Sequence, residues 1–237
     1  MAGLSPAELL AVWERGSAQT PADRALTLLL AGGAAEEPAA LSWTVGERDA
    51  ALLALREETF GRRLVGVTAC PGCGEKVEID FEVDDIRVEP PARDAAPLAP
   101  RSNGRVLRFR PPTCGDLAAI AGEGGLESTR DALLERCIVD RVSVEALPDE
   151  TVAELVAGIV RADPQADVEL ALRCPSCARE WRSPFDIVSF LWREVEARAL
   201  ALVRDVHALA SAYGWSEAEI LALSAARRAA YLELADA

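Results

Sequence analysis

Apolar positions recur at helical spacing toward both ends of the chain, while strict alternation is confined to a few short stretches between them. Ser5-Pro6-Ala7-Glu8 places a capping serine before a proline suited to the first helical position, with a glutamate three residues on to close a capping box. Thr20-Pro21-Ala22-Asp23 repeats the device ahead of Leu26, Leu29 and Leu30, and Thr44-Val45-Gly46-Glu47 starts a third helix, carrying Leu52, Leu53 and Leu55 and ending near Gly61. In the last third, Ile187, Leu191, Val195, Leu202, Val206, Leu209 and Tyr213 form one apolar stripe. Ser183-Pro184-Phe185-Asp186 reads as its N-cap, with proline and an acidic residue in the first turn, and Gly214 as the residue that stops it. Ser216-Glu217-Ala218-Glu219 predicts a short helix through Leu223, and Ser224 caps a last one holding Tyr231, Leu232 and Leu234. Helices this short must dock on something to persist.

Period-two stretches predict two hairpins: Arg63–Thr68 with Lys76–Phe81, and Asp167–Leu172 with Arg179–Arg182. Arg105–Arg110 also alternates in the strand manner. Pro90, Pro91, Pro97 and Pro100 exclude a helix and predict an exposed linker. Short helices are expected over Cys114–Ile120, Ser128–Val139 and Asp149–Ala162, the last ended by Ala162-Asp163-Pro164. The expected fold is α+β and mainly helical. It has N-terminal helices over 1–61, two hairpins over 62–83 and 167–183, a linker with a helical insertion over 84–166, and a long helix with a helical tail over 184–237.

Each hairpin turns at a cysteine pair of one pattern, Cys70-Pro71-Gly72-Cys73 and Cys174-Pro175-Ser176-Cys177. A tight turn between paired strands points both thiols of a pair at one spot, and two such turns supply the four thiolates of a closed, tetrahedral structural zinc site. Zn2+ is therefore the expected cofactor, with Cys70, Cys73, Cys174 and Cys177 as ligands and no open position for catalysis. Inert surface thiols would not require matching prolines and flanking strands. A redox Cys-X-X-Cys normally opens a helix, which lowers the thiol pKa, whereas a strand follows each pair here. The pairs are about a hundred residues apart, far beyond a simple ribbon's spacing of about 15–20. Either one hairpin packs on the other across the insertion, or the pairs bind in different chains; the intramolecular site is preferred.

Composition narrows the partners. Half of the 237 residues are apolar, inflated by alanine, and aromatics are only 5%. A net charge of −14 opposes binding to nucleic acid, which needs a basic face. The opening residues do not read as a secretory signal, and the longest strongly apolar run, Ala25 to Ala35, is too short for a bilayer span. Sparse cysteines in metal-type spacing fit a reducing interior, so a cytoplasmic protein with no membrane partner is expected. Cys114 and Cys137 read as small buried hydrophobes, Arg108 and Arg110 as a solvated strand face, and His207 as a packed or solvated histidine rather than a catalytic one. No Ser-His-Asp set, phosphate loop or open metal site is evident, and an enzyme is not expected.

The C-terminal stretch carries a family likeness: Pro184-Phe185-Asp186-Ile187-Val188-Ser189-Phe190-Leu191-Trp192, His207-Ala208-Leu209-Ala210, Tyr213-Gly214-Trp215-Ser216, Glu219-Ile220-Leu221, then Arg227-Arg228 and Tyr231-Leu232. It resembles the baseplate hub assembly chaperone group of T-even phages and its relatives beside tail genes of phages and phage-tail-like contractile injection systems. The resemblance covers about Cys174 to Leu234, is weaker over Leu9 to Cys73, and is absent between Asp84 and Asp163. It implies a non-enzymatic assembly factor or structural part of a contractile baseplate, cytoplasmic or incorporated into the particle, with hub or wedge proteins as partners. Trp215, Ile220 and Tyr231 would then face the partner, or pack the tail on its own chain, or divide the two tasks. The alternative is a zinc-ribbon regulator or adaptor that binds another protein or nucleic acid.

Overall fold

The computed structural model describes residues 2–89, 101–102, 105–121, 125–140 and 142–235. The linker expected through Pro90, Pro91, Pro97 and Pro100 lies outside the described residues.

The caps form as the sequence dictates. Before α1 (Pro6–Gly16), Ser5 Oγ accepts the Glu8 N–H at 3.3 Å while the Glu8 carboxylate accepts the Ser5 N–H at 2.8 Å. Thr20 caps α2 (Pro21–Ala31), and Thr44 with Glu47 closes a box on α4 (Val45–Phe60), which Gly61 ends at φ 91°. Between them α3 (Glu37–Ser42) was not anticipated: it is six residues long and has no side-chain cap to announce it.

Strands β1 (Arg63–Ala69) and β2 (Lys76–Glu82) pair antiparallel from Arg63↔Glu82 to Ala69↔Lys76, and the single turn α5 (Val83–Ile86) follows. The strand expected over Arg105–Arg110 survives only in part. Its start, β4 (Arg105–Val106), pairs with β3 (Arg101–Ser102), and Phe109 bridges to Ile138. The insertion then contributes α6 (Cys114–Ile120), α7 (Leu126–Cys137) and α8 (Asp149–Ala162). Strands β5 (Glu169–Arg173) and β6 (Glu180–Pro184) form the second knuckle hairpin. The long α9 (Ile187–Tyr213) and the tail helices α10 (Glu217–Leu221) and α11 (Ala225–Ala235) complete the chain.

The start of α9 corrects the expected cap. Ser183 and Pro184 belong to β6, opposite Leu170 and Glu169, and Asp186 is the N-cap, accepting the Val188 N–H at 3.0 Å. Pro184 fits there because its pair with Glu169 is a non-hydrogen-bonded position of the ladder, so its missing N–H costs nothing. Gly214 ends α9 in the left-handed conformation at φ 71°, as expected.

The main core joins α1, α2, α4 and α9, with Leu28, Leu29, Leu52, Leu55, Leu191 and Leu202 all fully buried. Each such side chain contributes about 1.5–3 kcal/mol of burial. Gly16 lets the Trp192 ring lie against α1, since a Cβ there would come within 2.4 Å of the ring; Arg24 stacks its guanidinium 4.4 Å from that ring's centroid. Buried Arg56 ties α4 to α9 by two bonds to Glu194, at 3.0 and 2.7 Å.

A second core, around Phe109, Leu134, Ile138 and Leu155, belongs to the insertion. Its attachment is specific: Thr44 bridges to Thr113, and buried Asp163 accepts the Gly46 N–H at 2.8 Å. Arg108 stays largely in solvent, as expected, beside Asp140, whereas Arg110 is partly covered and is held by buried Asp116. No helix among the described residues is long and apolar enough to cross a membrane.

Candidate metal centre

The two knuckles have one hydrogen-bond scheme. In the first, the Cys70 N–H donates to the Glu75 carbonyl at 2.8 Å and the Gly74 N–H to the Cys70 carbonyl at 2.9 Å. In the second, the Cys174 N–H donates to the Arg179 carbonyl at 2.9 Å and the Ala178 N–H to the Cys174 carbonyl at 3.0 Å. Both turns need a left-handed residue after the second cysteine, which is Gly74 (φ 76°) in one and Ala178 (φ 58°) in the other.

This geometry brings the four predicted thiols together across the insertion. Cys70 Sγ lies 3.7 Å from Cys177 Sγ and Cys73 Sγ lies 3.6 Å from Cys174 Sγ, and all four sulfurs fall within 4.8 Å of one another. A tetrahedral ion with metal–sulfur bonds of about 2.3 Å needs sulfur–sulfur edges of about 3.8 Å, so the spacing fits such an ion. Cys70 and Cys174 are buried, and Cys73 and Cys177 face solvent. Val77 and Trp181 pack on the buried pair, and Gly72 leaves room for the Arg179 side chain, which a Cβ would meet at 2.8 Å.

The electrostatics point the same way. Burial raises the Cys70 thiol, but the N–H groups of Gly72 and Cys73 and the neighbouring thiols of Cys177 and Cys174 together pull it down to about 6. At Cys73 the Glu75 N–H favours the thiolate, yet the sulfurs of Cys177 and Cys174 push its pKa up to about 12. Four sulfurs this close cannot all be anionic on their own. A cation at their centre removes that conflict and uses every ligand, leaving no open coordination position.

The other singled-out residues lie elsewhere. Cys114 and Cys137 are buried in the insertion, and burial pushes the Cys137 thiol up to about 11. His207 is exposed on α9. Ile220 is fully buried beneath α9 and α1, so it holds the tail on its own chain and offers no free surface to a partner. Trp215 and Tyr231 are half-buried, with ring centroids 4.8 Å apart. Tyr213, which the sequence presented only as part of the α9 stripe, stacks on Trp215 at 4.7 Å and remains 38% exposed. The packing role of Trp181 was also missed, although its inward parity in β6 could have revealed it.

Residues 24–192 match the family described as T4 bacteriophage base plate protein. The match runs through both knuckles, through the insertion, where residue-by-residue likeness was absent, and through Pro184–Trp192, and it stops before the motifs from His207 onward. No curated protein and no solved structure matches the chain. The matched region covers well over half of the sequence, and the chain belongs to the T4 bacteriophage base plate protein family.

Proposed function

We propose that this protein is a non-enzymatic component or assembly chaperone of a contractile-tail baseplate, in which Zn2+ held by Cys70, Cys73, Cys174 and Cys177 locks the two hairpins into a rigid platform. Family membership supports the baseplate role and implies association with other baseplate components. The observation that carries the platform is the convergence of four sulfurs from turns more than a hundred residues apart. Zinc suits an all-thiolate tetrahedral set, and bound there it would be structural, fastening β1–β2 to β5–β6. The chain's own residues supply the rest: Val77 and Trp181 shield one side, and the knuckle N–H groups stabilise thiolate charge.

The partner surface is the aromatic cluster of Tyr213, Trp215 and Tyr231 at the turn between α9 and the tail, facing a hub or wedge protein. Partly exposed, mutually braced aromatics of this kind anchor protein interfaces. The test is mass spectrometry of finished tail particles beside affinity capture of tail proteins from assembling cells. Presence in both assigns a structural role, and capture without incorporation assigns a chaperone role. Absence from both contradicts the proposal.

A further inference from the structure

A groove of about 340 Å³ opens between the start of β5 and the segment running from α5 to Val88. Its walls are two runs of consecutive residues, Asp85–Val88 and Asp167–Ala171, with Phe81 beside them. Successive side chains of a strand point to opposite faces, so a wall made of neighbours in sequence is an edge of backbone rather than a face.

The β5–β6 ladder identifies which groups lie on that edge. The Phe185 N–H donates to the Val168 carbonyl at 2.8 Å and the Cys174 N–H to the Arg179 carbonyl, and the register between them sets Leu170 opposite Ser183 and Leu172 opposite Trp181. Antiparallel pairs alternate between bonded and non-bonded, so the even-numbered residues of β5 bond β6. The N–H and C=O groups of Glu169, Ala171 and Arg173 therefore point outward, and among the described residues no backbone group pairs with them. An open strand edge is a template for another strand.

The rest of the groove is built. Phe81, Val168 and Leu170 pack on the main core and give it an apolar floor. Buried Gln165 fixes the opposite wall, accepting the Val88 N–H at 2.7 Å and donating to the Ile86 carbonyl at 3.3 Å. Asp85, Asp167 and Glu169 border the space; Glu169 accepts from Arg182 at 3.4 Å at an exposed position, and Arg87, the cation of the lining, is engaged by Glu57 at 2.6 Å and Asp84 at 3.8 Å, which leaves carboxylate in surplus. The groove thus combines apolar depth, unused main-chain groups and a surplus of negative charge.

We propose that this groove takes an extended, basic segment of a partner polypeptide as a third strand on β5. Main-chain bonds to Glu169, Ala171 and Arg173 hold it, alternate apolar side chains enter the hollow, and lysines or arginines meet the three carboxylates. The site is distinct from the aromatic cluster and depends on neither the metal nor the baseplate reading.

The test uses the full-length protein and two synthetic heptapeptides, acetyl-Lys-Val-Lys-Val-Lys-Val-Lys-amide and its counterpart with Glu for Lys. Calorimetry should show the lysine peptide binding at least tenfold more tightly, and residue-resolved hydrogen exchange should show the Glu169, Ala171 and Arg173 amides at least tenfold slower when it is bound. Ala171→Pro removes an outward N–H without touching the β6 ladder and should lower affinity at least tenfold. The double substitution Asp167→Lys with Glu169→Lys, at exposed positions, should reverse the charge preference even if the proline variant misfolds. Equal binding of both peptides, no protection at the three amides, or an unchanged preference in the double variant overturns the proposal. Slow exchange of those amides in the free protein also overturns it, because the edge would then be covered already.

Discussion

Ala178 holds in the second knuckle the left-handed backbone that Gly74 holds in the first, at φ 58° against 76°. The left-handed region costs a side-chain-bearing residue about 1–2 kcal/mol, and glycine gives some of that back through its greater freedom in the unfolded chain. Ala178→Gly is therefore expected to stabilise the protein by about 0.5–1 kcal/mol, and Gly74→Ala to destabilise it by about the same amount. Urea unfolding of both variants checks this, and a lower midpoint for Ala178→Gly would refute it.

Cys174 and Cys137 are equally buried but differ in what they hold. Cys174→Ser removes a ligand from a site whose binding free energy, on the order of 10 kcal/mol for structural zinc, is coupled to folding. Cys137→Ser only buries a hydroxyl in place of a thiol, a cost of about 1–3 kcal/mol. Thermal melts should fall much further for Cys174→Ser; coincident melts would mean that the hairpins are not fastened at this point.

Asp49 gives stability a particular pH dependence. Burial raises its carboxyl, and Asp186 and Asp163 add to that against the opposing pull of Arg48, so its pKa reaches about 6 in the fold against 3.8 for a free side chain. A raised carboxyl favours the protonated fold, so its contribution is present at low pH and is lost as pH rises through 6. Relative to Asp49→Asn, the native protein should gain about 1 kcal/mol between pH 7.5 and 5. A flat difference across that range would show that Asp49 is not desolvated.

Trp215 is braced by Tyr213 and Tyr231 yet keeps part of its ring in solvent. Trp215→Ala should weaken capture of a baseplate partner by about 2 kcal/mol or more if the ring is an interface anchor. Removing the tail from Gly214 onward is a poorer test, since Ile220 is fully buried and Leu221 packs on the main core. Equal capture by the native protein and by a folded Trp215→Ala variant would move the binding surface elsewhere.

What could be read from the sequence was local. Ser5, Thr44 and Ser216 announced their helices because a capping box is written in residues three apart, and the knuckles announced themselves because cysteine spacing and strand parity agree. Long-range partnerships were silent. Nothing near Arg56 points to Glu194, 138 residues away, or near Gly46 to Asp163, and Ile220 looked available because its cover comes from α9 and α1. Pro184 misled for a specific reason: beside a serine and an aspartate it mimics a helix start, but it occupies a strand position that needs no N–H. The left-handed turn at Ala178 was hidden because alanine does not advertise that conformation as Gly74 does.

The most direct test is the metal content of protein purified without added metal, joined to sulfur-edge and metal-edge X-ray absorption. One zinc per chain, bound by four sulfurs at about 2.3 Å, is the predicted result. A ratio near zero, with Cys70, Cys73, Cys174 and Cys177 all titrating as free thiols, would contradict the account.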